Sequence, residues 1–199
     1  MNAFRQILLL GVLTTLVACG STPRSDYYML SADARGAPGS GGPSIGVGPI
    51  TIPDYLKARE MVLNRSAHKL KLADFDRWAE PLDSGIRRVL AVNLTALLNT
   101  QSVQIYPWRR DSVPEFSVRL AVVQLSVQNS EARFVGEWSI HQPRGGESIS
   151  QHITQLSTPM RDSDPESVAA AYSNLLLQLS EKIADTLAEY RAGKAPTAD

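Results

Sequence analysis

The sequence predicts a single α+β domain: a mostly antiparallel sheet with two amphipathic helices packed on one face. Two patterns lead there. Apolar residues recur at the helical period in two long stretches, about 83–100 and 165–191, and alternate at period two in several short runs elsewhere. A chain of 199 residues, with 20 Lys and Arg balanced by 20 Asp and Glu, has the length of one domain.

The first eighteen residues stand outside that domain. They carry one charge, Arg5, followed by an apolar run from Ile7 to Val17 broken only by Gly11, Thr14 and Thr15, the pattern of a secretory signal. That run falls well short of the roughly 20 residues needed to span a bilayer, so cleavage is expected and not a retained helix. The cleavage neighbourhood Leu16-Val17-Ala18-Cys19-Gly20 resembles the bacterial lipobox, and Cys19 is the only cysteine. The resemblance implies a diacylglycerol thioether and an N-acyl chain on Cys19; no other cofactor is expected. At about 0.8 kcal/mol per buried CH₂, several acyl chains anchor a protein stably. Gly20 stands where Asp would favour inner-membrane retention, which points to the periplasmic face of the outer membrane.

Residues 1–18 are therefore read as a lipoprotein signal peptide, 19–26 as acylated Cys and tether, 27–192 as the domain and 193–199 as a disordered tail. The tether reaches at most about 25 Å. Removing Arg5 with the signal leaves 19 Lys and Arg against 20 Asp and Glu, so no basic excess favours nucleic acid. With Cys19 lipidated there is no intramolecular disulfide, and stability must come from a core.

Tyr27–Leu30 reads as a first short strand, followed by a mobile Gly/Pro/Ser-rich loop, 31–43. Ile45–Ile52 is a strand in which Ile45 and Val47 alternate with glycines; Gly46-Val47-Gly48 lacks the third glycine and following helix of a phosphate loop. Met61–Leu72 alternates well enough for one or two strands, and 73–82 is a polar, aromatic connector. Asp83 or Ser84 then caps a helix with Ile86, Val89, Leu90, Leu94, Leu97 and Leu98 on one face. Ser102–Tyr106 is a strand ending at Pro107.

A meander follows. Phe116, Val118, Leu120 and Val122 share a face, while Val123, Leu125 and Val127 continue with changed parity, which predicts a β-bulge near Val122. Asn129-Ser130 turns the chain into a strand with Phe134, Trp138 and Ile140 on one side, and Pro143–Gly146 turns it again. The strand at about 147–156 is mostly polar, as at an edge or subunit contact. Asp164-Pro165-Glu166 gives an N-cap, a first-turn proline and a first-turn acid, and an apolar face from Val168 to Tyr190 runs to Gly193.

His68, His141 and His152 fall in no metal-binding spacing, so no metal is expected, and the serines lack a G-x-S-x-G setting. Glu80 could serve as a catalytic acid, but a structural role near the start of the helix is the stronger reading. What remains is a set of aromatics beside prolines: Tyr55 with Leu56, Trp78, and Tyr106-Pro107-Trp108. Aromatics are enriched at interfaces, so Tyr55, Leu56, Trp78, Tyr106 and Trp108 are candidate partner-binding residues, against the alternative of ordinary core packing.

In these segments the chain resembles the PqiC/YmbA-type auxiliary lipoproteins of ABC transport systems. The resemblance is carried by Tyr27–Leu30, by the strand and turn Ile45–Leu56, by Arg77-Trp78-Ala79-Glu80-Pro81-Leu82 and by Pro107-Trp108, in that order between a lipobox and a long terminal helix. Ala58-Arg59-Glu60-Met61 departs from the basic–proline segment expected there. The resemblance implies a non-enzymatic partner of an MCE-type lipid transport system. Such a protein receives an MCE-domain protein at the outer membrane as a ring-like homo-oligomer. Two other classes stay open: an outer-membrane assembly or secretion lipoprotein of similar α+β build, and a periplasmic hydrolase, which needs a cleft with a perturbed acid or base.

Overall fold

The computed structural model describes residues 24–36, 39–66 and 68–193. The expected signal peptide, Cys19 and residues 194–199 of the expected tail lie outside the described residues. In chain order the described elements are β1 (Asp26–Tyr28), β2 (Ile45–Thr51), β3 (Glu60–Ser66), β4 (Lys69–Trp78), α1 (Leu82–Leu97), β5 (Val103–Ile105), β6 (Phe116–Gln128), β7 (Glu131–Gln142), β8 (Glu147–Pro159) and α2 (Pro165–Arg191).

The strands form two sheets, a finer division than the sequence pattern revealed. One has the order β5-β2-β6-β7-β8 and the other β1-β4-β3. The long β6-β7-β8 ladders are antiparallel, as the meander predicts. By contrast β2 runs parallel to both β5 and β6, and β1 parallel to β4. Parallel neighbours need a long crossover, and the β3–β4 hairpin with α1 supplies it between β2 and β5.

Both helices cover one face of the larger sheet, α1 over β2 and β5 and α2 over β7 and β8, and they touch each other. Between them and the sheet lie Ile86, Val89, Leu90 and Leu94 of α1, Leu175, Leu179 and Ile183 of α2, and the strand residues Ile45, Val47, Phe116, Val118, Phe134 and Ile140. The ladder shifts register between Val122 and Gln124, so Leu125 and Val127 return to the core face. That is the predicted bulge. Asn129 and Ser130 both take positive φ in the β6–β7 turn, the requirement of a tight hairpin whose twist matches its strands.

Two expectations need correction. The connector predicted at 73–82 is strand through Trp78. Its alternation is hidden because β4 carries extra residues opposite Glu60–Val62, which breaks the period. α1 begins at Leu82 with Pro81 as N-cap and no side-chain cap; Asp83 lies in the first turn, where its charge suits the helix dipole. Described residues of the 31–43 loop are bonded to α1 and the turn after it. Asn93 of α1 accepts hydrogen bonds from the amides of Asp33 (3.2 Å) and Ala34 (3.1 Å) and donates to Ser180 Oγ of α2 (3.3 Å), while the Gly42 amide donates to the Asn99 carbonyl (3.0 Å). At the other terminus the cap is as predicted: Asp164 Oδ1 accepts from the amides of Glu166 (3.0 Å) and Ser167 (3.1 Å), and α2 ends before Gly193 at positive φ.

Candidate docking site

The site is built on the two glycines of β2. Ile45 and Val47 point into the core, so Gly46 faces the opposite side of the sheet. There the Trp108 ring lies against it: a Cβ at Gly46 would stand 2.7 Å from Trp108 Cζ3 and 2.7 Å from Pro114 Cγ. Gly48, at φ +114°, sits under Tyr106, whose Cβ lies 2.9 Å from where a Gly48 Cβ would be. The glycine pair is thus a floor for aromatic side chains, which explains why it lacks the rest of a phosphate loop.

Tyr106 and Trp108 meet edge to face at 5.2 Å between ring centroids and 82° between planes, a favoured aromatic geometry. The chain between them passes through a cis Tyr106-Pro107 peptide. Ile105 is exposed on the helix side of β5 beside Val47, while exposed Tyr106 and half-buried Trp108 form an aromatic step on the other face, at the β5 edge of the sheet. Arg87 ties the step to the start of α1: its guanidinium donates to the Tyr106 carbonyl (3.4 Å) and to Ser84 Oγ (3.1 Å), and stands 3.9 Å from the Asp83 carboxylate. Asp83 in turn lines a cleft of about 410 Å³ with Ile50, Thr51, Ile52, Lys57, Pro81 and Leu82.

The five candidate residues separate on this frame. Tyr106 and Trp108 come together at the surface. Leu56 and Trp78 do not: they are 3% and 5% exposed and belong to the core, where Trp78 stacks on Tyr172 of α2 with centroids 6.2 Å apart. Tyr55 is half-buried against the same core. Its phenol adds to the burial that pushes the Tyr172 phenol far above its ordinary pKa, and the Tyr172 hydroxyl is buried without a hydrogen-bond partner among the described residues.

Glu80 is structural, though its partner is a side chain and not backbone amides. It accepts from Arg88 Nε at 3.0 Å, and the same guanidinium donates to the Leu30 carbonyl at 2.8 Å, clamping the end of the first strand segment to α1. Ser139 Oγ and His141 Nε2 approach to 2.9 Å on β7. Burial lowers the His141 pKa and the neighbouring Arg119 lowers it further. A base that activates a nucleophile must take up a proton, and both burial and the Arg119 cation disfavour the protonated form of His141. Asn93 was not singled out from the sequence, yet the signal was present: it lies three residues after Leu90 and four after Val89, on the apolar face of α1.

Among the described residues no helix is long and apolar enough to cross a membrane. No group of three or more His, Cys, Asp or Glu among them could hold a metal ion.

The model of the ABC-type transport auxiliary lipoprotein component family matches residues 28–184, from β1 into α2. The chain belongs to this family. Among curated relatives it is 28% identical over 145 residues to the intermembrane transport lipoprotein PqiC of Escherichia coli (strain K12), covering 71% of each chain, and equally to that of Shigella flexneri. A crystal structure of a protein from Xanthomonas campestris superposes with a TM-score of 0.70 at 11% identity, covering 85% of this chain and 98% of that one. A second crystal structure gives 0.69 at 21% identity, covering 83% and 99%. These two likenesses concern the fold. As a family member the chain is an auxiliary lipoprotein of ABC-type transport, and the family is not one of known enzymes.

Proposed function

We propose that this auxiliary lipoprotein works at the periplasmic face of the outer membrane as the docking component of an MCE-type ABC lipid transport system. It is held there by diacylglycerol and N-acyl chains on Cys19, and receives a periplasm-spanning MCE-domain protein as a ring-like homo-oligomer. The observation that carries the reading is the family match, which runs through both sheets and both helices and so takes in the whole architecture. The Tyr106–Trp108 step and the adjoining cleft are the docking surface in this reading, because they offer apolar area at the surface that the core does not use.

The experiment is copurification with the MCE protein alongside thermal unfolding. A few large side chains carry most of an interface's energy, and truncating one costs about 2 kcal/mol, roughly a thirtyfold loss of affinity. Tyr106→Ala is expected to weaken copurification by that order with an unchanged melting temperature. Trp78→Ala, a cut in the core, is expected to cost about 3–5 kcal/mol of folding stability instead. Full binding by Tyr106→Ala and Trp108→Ala in folded protein would place the docking surface elsewhere.

A further inference from the structure

The β8 strand is an edge without the usual protection. It ends the strand order of the larger sheet, and among the described residues it pairs with β7 alone. The other sheet edges are short or charged: β5 and β1 have three residues each, and β3 begins at Glu60. By contrast β8 runs for 13 residues, and from Ser148 to Thr158 it holds no Asp, Glu, Lys, Arg or Pro. Edges are ordinarily blunted by brevity, charge or proline, because their open backbone groups pair with an arriving strand.

The register shows which groups are open. The Met160 amide donates to the Ser130 carbonyl (2.8 Å), next to the facing residues Glu131 and Pro159, and from there the ladder alternates. The even-numbered residues from Ser150 to Thr158 therefore turn their backbone groups toward β7, while Gln151, Ile153, Gln155 and Ser157 turn theirs outward. The side chains of these four lie on the sheet face away from the helices and are exposed, Ile153 by 70%. Gln151 is braced there, its amide donating to the Glu137 carboxylate of β7.

The strand itself indicates what pairs with it. Gln151-His152-Ile153-Thr154-Gln155 is nearly symmetric about Ile153, with an apolar residue at the centre and a glutamine two residues to either side. Antiparallel pairing of two copies about a two-fold axis through Ile153 sets the two Ile153 side chains next to each other. It also sets Gln151 of each copy beside Gln155 of the other, amide against amide. Such matching is what an isologous contact demands, and the outward backbone groups fall into register for about six hydrogen bonds. Residues 148–158 bring no Asp, Glu, Lys or Arg side chain into the join.

We propose that this protein self-associates through β8, two copies joining edge to edge about Ile153 so that their five-stranded sheets become one continuous sheet. The inference goes beyond the docking reading and does not depend on it. Pairing at β8 leaves the opposite edge, β5 with Tyr106 and Trp108, open to a partner. A two-fold contact supplies pairs of chains, and closure of a ring needs a further surface.

The test uses the mature chain carrying Cys19→Ser, which has no acyl group and no thiol, in sedimentation equilibrium. A concentration-dependent dimer is expected. Ile153→Lys sets two like charges side by side on the axis and should weaken the dimer by about tenfold or more. Its melting temperature should match the parent's, because the side chain it replaces is exposed. In the same background Ile153→Cys should cross-link to itself on mild oxidation, since facing Cα atoms lie about 5.5 Å apart, within disulfide reach. Ser157→Cys should not, because the two-fold holds its copies about 27 Å apart. A monomeric parent, a dimer that folded Ile153→Lys leaves intact, or cross-linking of Ser157→Cys in preference to Ile153→Cys overturns the proposal. A monomeric parent whose copurification with the MCE protein is lost in Ile153→Lys also overturns it, and gives the edge to a strand of that partner. Self-association and copurification are separate readouts, so a dimer that fails to copurify refutes the docking reading and supports the β8 contact.

Discussion

Gly46 and Trp108 depend on each other at the closest range found in the site. Because a Cβ at Gly46 would overlap both the Trp108 ring and Pro114, Gly46→Ala is expected to push the indole off the sheet. The outcome is a red-shifted, more quenchable tryptophan emission and a loss of docking similar to that of Trp108→Ala, with the core unaltered. An unshifted spectrum would mean that the ring moves without cost. Tyr172 makes the opposite case. Its hydroxyl is buried without a partner among the described residues, and such a group costs about 1–3 kcal/mol. Tyr172→Phe is thus expected to keep or raise the denaturation midpoint while preserving the stack on Trp78. A fall of more than about 1 kcal/mol would show that the hydroxyl is satisfied.

Among the elements, α2 is the one whose start rests on a single side chain. Hydrogen bonds from the Ser167 hydroxyl and from the Ser167 and Glu166 amides hold the Asp164 carboxyl below its ordinary pKa. A carboxyl lowered on folding adds stability that is complete above its unfolded value, about 3.9, and is lost as pH falls through the lower folded value. Asp164→Ala should reduce the melting temperature by about 2–4 °C at pH 7. The gap to the parent should narrow below about pH 4 as the parent loses the same charge. A gap that stayed constant to pH 2 would show that the carboxylate's charge contributes nothing to the cap. α1 has no comparable cap. It is held instead by Asn93, which joins the 31–36 segment to Ser180 of α2, and by Arg88 on Glu80.

For the molecule as a whole, the proposed acyl anchor on Cys19 would decide where the domain works. With no helix among the described residues able to cross a membrane, Cys19→Ser is expected to leave an unprocessed or soluble periplasmic protein in fractionation with labelled fatty acid. Continued labelling and outer-membrane recovery of that variant would overturn the lipoprotein assignment of Cys19. The α+β class, the meander with its bulge, the edge position of β8 and the capped span 165–191 were all legible in the sequence. Each is a local property, written at period two, at period 3.6 or across the few residues of a cap or turn. Only the tertiary structure decided that the strands form two sheets and that β2 runs parallel to β6. It alone separated the candidate residues, sending Leu56 and Trp78 inward while leaving Tyr106 in solvent. Those outcomes depend on partners far along the chain: Tyr172 for Trp78, Arg87 for the Tyr106 carbonyl and Gly46 for Trp108. Burial is set by what packs against a side chain, and a proline-flanked aromatic reads the same in sequence whether a distant helix covers it or not.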